Sequence, residues 1–209
     1  MADCGCEHEA QQLQERQSRT LVIILLINAT MFFVEAGAGI LARSAALLAD
    51  SLDMLGDALV YGFSLYVVAR SARWKAGSAL AKGIIQLGFG LSVLGVSSYK
   101  LINPVIPIAS AISGIGLLAL AANTVCAVLL LRHRHDDLNM HSVWLCSRND
   151  LVSNVAVILA GLAVALTQSQ LPDVLVGLGI ALLFLHTSFG VLSRSIAQLR
   201  LSQTGPSMT

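Results

Sequence analysis

The chain has 209 residues, 56% of them hydrophobic and only 12% charged, with a mean hydropathy of +0.75 and a formal net charge of +1. That balance lies well outside the range of soluble domains. Nothing in it implies enzyme chemistry, and charge spread thinly over connectors gives no basis for binding nucleic acid.

Crossing hydrocarbon takes about 20 apolar residues per helix, and six such stretches follow one another. They lie near Thr20 to Ala42, Ala45 to Ala69, Ser78 to Leu101, Pro104 to Leu131, Leu138 to Gln168 and Pro172 to Ile196. The connectors are short: an Arg43-Ser44 turn, the basic stretch Arg70 to Lys75, Asn103-Pro104, the run Arg132 to Asp137, and Ser169 to Pro172. The expectation is an all-α membrane protein with six transmembrane helices over residues 20–197, a polar tail at 1–19 and a short tail at 198–209. The polar first twenty residues lack the apolar core of a cleavable signal.

Arg16, Arg19, Arg70, Arg73, Lys75, Arg132, Arg134, Arg194 and Arg200 fall at the ends and on the second and fourth connectors, whereas the opposite side carries mainly Arg43 and Lys100. The positive-inside rule then puts both termini in the cytoplasm. A bacterial inner membrane is the expected location.

Ionisable groups at bilayer depth cost about 2.5 to 3.5 kcal/mol each on insertion scales, so they mark function by default. The second helix carries Asp50, Asp53 and Asp57, a stripe at i, i+3 and i+7 that needs a cation, protons or both. The fifth carries Cys146 and Asp150, again four apart and on one helix face. Two such pairs on facing helices can present four ligands to one ion. Carboxylate and thiolate together suit a borderline-soft divalent metal, zinc or cadmium ahead of magnesium or calcium. The plainer alternatives are that the polar groups hold helices together and that Cys146 is a small buried hydrophobe.

The segments GILARSAALLADSLDMLGD (Gly39–Asp57) and SVWLCSRNDLVSNVAVILAG (Ser142–Gly161) resemble the cation diffusion facilitators. The resemblance implies a six-helix bundle, usually a homodimer, that exchanges a divalent metal for protons. It places the transport site on Asp53, Asp57, Cys146 and Asp150, the transported ion being Zn2+, with Cd2+ or Co2+ also possible, and no resident cofactor. Many zinc-transporting members have His where this chain has Asp53 and Cys146, which implies a broader or softer metal preference. Members usually continue into a cytoplasmic ferredoxin-like domain. Only Gln198 to Thr209 remain here after helix six, so a membrane-domain-only member is expected, its dimer held by helices and short loops. That feature keeps a second function class open, a metal sensor or accessory subunit that does not itself transport. A carrier of small organic cations is less well supported, because no aromatic cage is evident.

Other polar positions receive secondary roles. Asp50 is a proton carrier, an outer partner of the ligands, or a packing group near the helix start; Glu35, on the same face as Asn28, faces the cation path or pairs with Arg148. Asn154, one turn beyond Asp150, suits a donor that orients a ligand, Asn123 is expected to bond another helix, and His186 to be a hydrogen-bonded bundle residue. The cluster Cys4, Cys6, His8 and the pair His133, His135 are candidates for capturing metal on the cytoplasmic side. Their plain readings are a polar tail with two reduced thiols and a capped helix start beside solvated charge. The glycines Gly83, Gly88, Gly90 and Gly95 are expected to serve helix packing.

Overall fold

The computed structural model describes residues 4–67, 72–132 and 138–203 of the chain. It contains six helices: α1 (Cys4–Ala42), α2 (Ala45–Val67), α3 (Ala72–Ile102), α4 (Ala109–Leu131), α5 (Leu138–Thr167) and α6 (Leu171–Gln203). The expected all-α bundle is therefore present, with no strand among the described residues. Helix α1 runs back through the polar tail as far as Cys4, and α3 starts at Ala72, inside the basic connector.

One boundary departs from expectation for a clear reason. Helix four starts at Ala109 rather than Pro104: residues 104–108 are irregular, ending in an extended Ile108. Pro104 and Pro107 supply no backbone N–H, and each proline disfavours the helical region for the residue before it. The stretch is tied down instead by Ile108 N–H, which donates to Ala42 O at 3.0 Å.

Among the described residues, five helices are long and apolar enough to cross a membrane, and α2 (Ala45–Val67), which carries Asp50, Asp53 and Asp57, falls outside that set. The surface agrees with that reading. Phe33, Leu41, Ile102, Val152 and Leu166 are 70–86% exposed, an outward apolar coat that only lipid would cover.

Helices pair as α1 with α2, α4 with α5 and α3 with α6, and α2 touches all five others. Small residues set the closest approaches. A Cβ on Gly90 would meet Leu185 at 3.0 Å and one on Gly83 would meet Leu192 at 3.1 Å, so these two glycines seat α3 on α6. Gly88 and Gly95 have nothing within 4 Å and lie on the outer face, so only half of the expected glycine cluster packs within the chain. Gly161 is more constrained, since a Cβ there would come within 2.8 Å of the Ser113 backbone nitrogen across the α4–α5 contact. Overpacking of this kind costs about 1–3 kcal/mol. Gly161→Ala is therefore expected to lower the thermal unfolding midpoint in detergent by several degrees, and Gly88→Ala to leave it unchanged or slightly raised.

Apolar residues cluster at both ends of the bundle. Leu47, Val93, Ile112, Val157 and Phe184 fill the end that holds the α1–α2 turn. Leu21, Ile24, Tyr61, Cys126 and Leu130 fill the end nearer the chain termini. Met31, Met54 and Ala119 lie between them, alongside an unusual amount of polar chemistry.

Candidate functional site

Helix α2 begins under tight control. Arg43 adopts a left-handed conformation (φ 53°), Arg43 N–H donates to Ile40 O at 3.2 Å and Ser44 N–H to Gly39 O at 2.9 Å. This paired hydrogen bonding closes α1 and turns the chain at once into α2. The chain descends from there through Asp50, Asp53 and Asp57, and antiparallel α5 rises beside it through Asp150 and Asn154.

Two contacts set the register of α5 on α2. The side chains of Asp57 and Asp150 lie within reach of each other across α2 and α5. With the Asn154 amide turned so that its nitrogen faces the carboxylate, Asn154 donates to Asp50 Oδ1 at 3.2 Å and Oδ2 at 2.9 Å, and its own oxygen accepts from Asn123 Nδ2 at 2.8 Å. A step toward the turn on α2 is thus matched by a step toward the turn on α5. Three helices meet in the Asn123–Asn154–Asp50 chain, the interhelical bond expected of Asn123.

The polar interior forms two levels. At the level nearer the termini, Asp57 accepts from the Tyr61 hydroxyl at 2.7 Å as well as contacting Asp150. Asn28 of α1 and Cys126 of α4 complete that level, with Asn28 Nδ2 donating to Ile24 O at 3.0 Å and lying 3.9 Å from Cys126 Sγ. At the level nearer the turn, Asp50, Asn123, Asn154 and Glu35 are at most 2% exposed. The charges of Asp50 and Asp53 both act on Glu35, and neither Glu35 oxygen has a hydrogen-bond partner among the described residues. Asp53, Asp57 and Asp150 are half-buried rather than sealed.

Asp57 and Asp150 thus face each other, and Asp53 lies about one turn from Asp57 on α2, close enough to feel its charge. Among the described residues no three His, Cys, Asp or Glu side chains converge closely enough to ligate one ion. The side chain of Cys146, four residues before Asp150 in α5, lies outside the described residues, as do the side chains of Cys4, Cys6, His8 and Arg148; His133 and His135 lie outside them altogether.

His186 differs from expectation. It is exposed on the outer face of α6, because the inward stripe there is Val174, Gly177, Ala181, Phe184 and Ser188, and His186 falls opposite Phe184 on the helical wheel.

Two participants escaped the sequence reading. Cys126 is a free, buried thiol between Asn28 and Tyr61; in an apolar run such as TVCAVLLL nothing distinguishes it from a small hydrophobe. Asp173, three residues into α6, is fully buried against the start of α2. Its only sequence signal is an acidic residue in the first turn of a membrane helix.

Inward carboxylates on α1, α2 and α5, in a bundle coated with apolar side chains, define an integral membrane protein with an acidic interior. The model of the cation efflux transmembrane domain matches residues 21–200, and the chain belongs to that family. It is 26% identical over 207 residues to the zinc transporter ZitB of Pectobacterium atrosepticum, an alignment that covers 92% of this chain and 64% of that protein. The chain spans just under two thirds of the length of that relative.

Proposed function

We propose that the chain exports a divalent heavy-metal cation from the cytoplasm in exchange for protons, with zinc as the main substrate and cadmium or cobalt also accepted. Asp53, Asp57, Cys146 and Asp150 are the ligands in this reading. Glu35, Asp50 and Asn154 form the proton path or orient the ligands. The protein works as a homodimer in a bacterial inner membrane, with its termini in the cytoplasm.

The observation that carries this reading is the close approach of Asp57 and Asp150 across α2 and α5. Two carboxyl groups this close stay together only with a proton or a cation between them. A divalent ion that takes both oxygens must displace that proton, since metal ligands bind deprotonated and metal affinity falls as pH falls. Competition between cation and proton for one pair of groups is what coupled exchange needs. Family membership and the likeness to a zinc transporter support the same cation class.

The bundle offers a route for the exchange. With the site open to the cytoplasm, the deprotonated ligands take up metal. Rocking of the helices opens the site outward, external protons compete for the same oxygens, and the metal leaves. The protonated carboxyl groups then return inward.

Proteoliposomes test the proposal. Zinc, cadmium and cobalt are offered to vesicles containing the purified chain, with and without an imposed pH gradient. Uptake that follows the gradient, and collapses when a proton–potassium exchanger dissipates it, is the expected result. Metal binding without any gradient-driven flux would refute it in favour of a sensor or accessory subunit.

A further inference from the structure

The first four amides of a helix have no partner inside it, and inside a membrane each needs one from elsewhere. Helix α2 satisfies its four in an unusual way. Ser44 N–H donates to Gly39 O at 2.9 Å and Leu47 N–H to Ser44 Oγ at 3.0 Å, so Ser44 caps the helix with its own side chain. The other two amides go to a different helix: Ala45 N–H donates to Asp173 Oδ2 at 2.7 Å and Ala46 N–H to Asp173 Oδ1 at 3.1 Å. Ser44 Oγ–H also donates to Asp173 Oδ1, at 2.5 Å.

The same carboxylate faces Lys100 Nζ of α3 at 3.6 Å. Lys100 Nζ in turn donates to Arg43 O in the turn. Gln170 reinforces the node, its Nε2 donating to Lys100 O and its Oε1 accepting from Val105 N–H, both at 2.8 Å. One turn further along α6, a Cβ on Gly177 would meet Ala45 Cβ at 3.0 Å, so α6 presses directly on the first residue of α2. Asp173 is 0% exposed, and its negative charge lies where the helix dipole is positive.

This node joins two groups of helices. Helix α3 packs mainly on α6, while α1, α2, α4 and α5 pack mainly among themselves; α5 also touches α6, but α2 is the member of that group in contact with both α3 and α6. Asp57 lies twelve residues from Ala45, about 18 Å along the helix axis. A tilt of about 5° at the cap would move it by about 1.5 Å, more than the roughly 0.5 Å tolerance of a preorganised site.

We propose that Asp173 is a positioning residue for the ion site: by capping α2 from α6 it fixes the height and tilt at which α2 presents Asp53 and Asp57 to Asp150. The proposal rests on the transport-site reading given above and adds to it a determinant far from the ligands. It also makes Ser44 and Asp173 two halves of one contact, with Lys100 as an outer tie.

The test measures zinc affinity by competition with a chromophoric chelator, on purified full-length protein carrying Cys4→Ser and Cys6→Ser so that the tail thiols do not contribute. Asp173→Asn, which loses the charge and one acceptor oxygen, is expected to weaken zinc binding about 10-fold, the lower end of the range for groups that orient metal ligands. Ser44→Ala should weaken it by a smaller factor, and the double variant should be no weaker than Asp173→Asn. Wild-type affinity in Asp173→Asn protein that is monodisperse and helical would overturn the proposal, even if its thermal midpoint fell, since that pattern marks a purely structural cap. If Asp173→Asn cannot be purified folded, wild-type affinity in Ser44→Ala overturns it equally. Asp57→Asn is run beside them: should it too keep wild-type affinity, the ion-site reading fails, whereas loss in Asp57→Asn with no change in Asp173→Asn removes the positioning role alone.

Discussion

Gradient-driven zinc uptake by Asp57→Ala protein is expected to fall to the level of empty vesicles, a loss of at least ~100-fold. Removing a group that merely orients a ligand already costs about 10- to 100-fold in affinity or activity, and Asp57 is the best-connected carboxylate of the set. It accepts from Tyr61 at 2.7 Å and meets Asp150 across the α2–α5 contact. The loss should be functional rather than structural. Alanine is the strongest helix former, and replacing a carboxylate at bilayer depth removes a cost of about 2.5 to 3.5 kcal/mol. Helix content and the detergent elution profile should therefore match those of the parent protein. Asp57→Ala protein turning over within twofold of wild type would sink the assignment.

How far this was readable beforehand depends on the kind of signal involved. The six helices were legible because a bilayer imposes a length and a polarity that few other environments impose, and the stripe Asp50, Asp53, Asp57 was legible because 3.6-residue periodicity turns spacing into geometry. The burial of Asn28 and Glu35 on one face of α1 followed from the same arithmetic. Bounds were less legible where local chemistry overrides hydropathy, as at Pro104 and Pro107, whose apolar neighbours read as helix but whose rings forbid it. Contacts between distant segments were the least legible. Nothing in the chain says that Asp173 caps a helix that begins at Ala45, or that Asn123 reaches Asp50 through Asn154, because such pairings depend on how the helices pack.

The second large effect concerns which metal is carried. In the proposed site, Cys146 is the sole soft ligand among three carboxylates, so it is the position at which metal preference can be changed most by one substitution. Thiolate favours soft ions, whereas imidazole suits zinc, copper and nickel alike. Cys146→His is expected to keep zinc transport within a few-fold of the parent and to lower cadmium transport relative to zinc by roughly tenfold. Cys146→Ser should weaken transport of both. Competition of unlabelled cadmium against radioactive zinc in the same vesicles measures the ratio directly. An unchanged cadmium-to-zinc ratio in Cys146→His would exclude the thiol from the ligand set.

The two-residue turn between α1 and α2 bears on how the protein is made. Within its described span helix α2 carries Asp50, Asp53 and Asp57, and three carboxylates at about 2.5 kcal/mol or more each oppose its partition into lipid by itself. Its predecessor α1 is strongly apolar from Ser18 to Ala42, joined by Arg43 and Ser44 only, and Glu35 and Asn28 face inward from it. The pair therefore has to leave the translocon as one hairpin, with α1 providing the hydrophobicity that α2 lacks. Lengthening the turn with a flexible linker is expected to separate the two and deprive α2 of the apolar partner beside which it enters the membrane. The acidic residues of the proposed ion site thus bear on the order in which the segments enter the membrane.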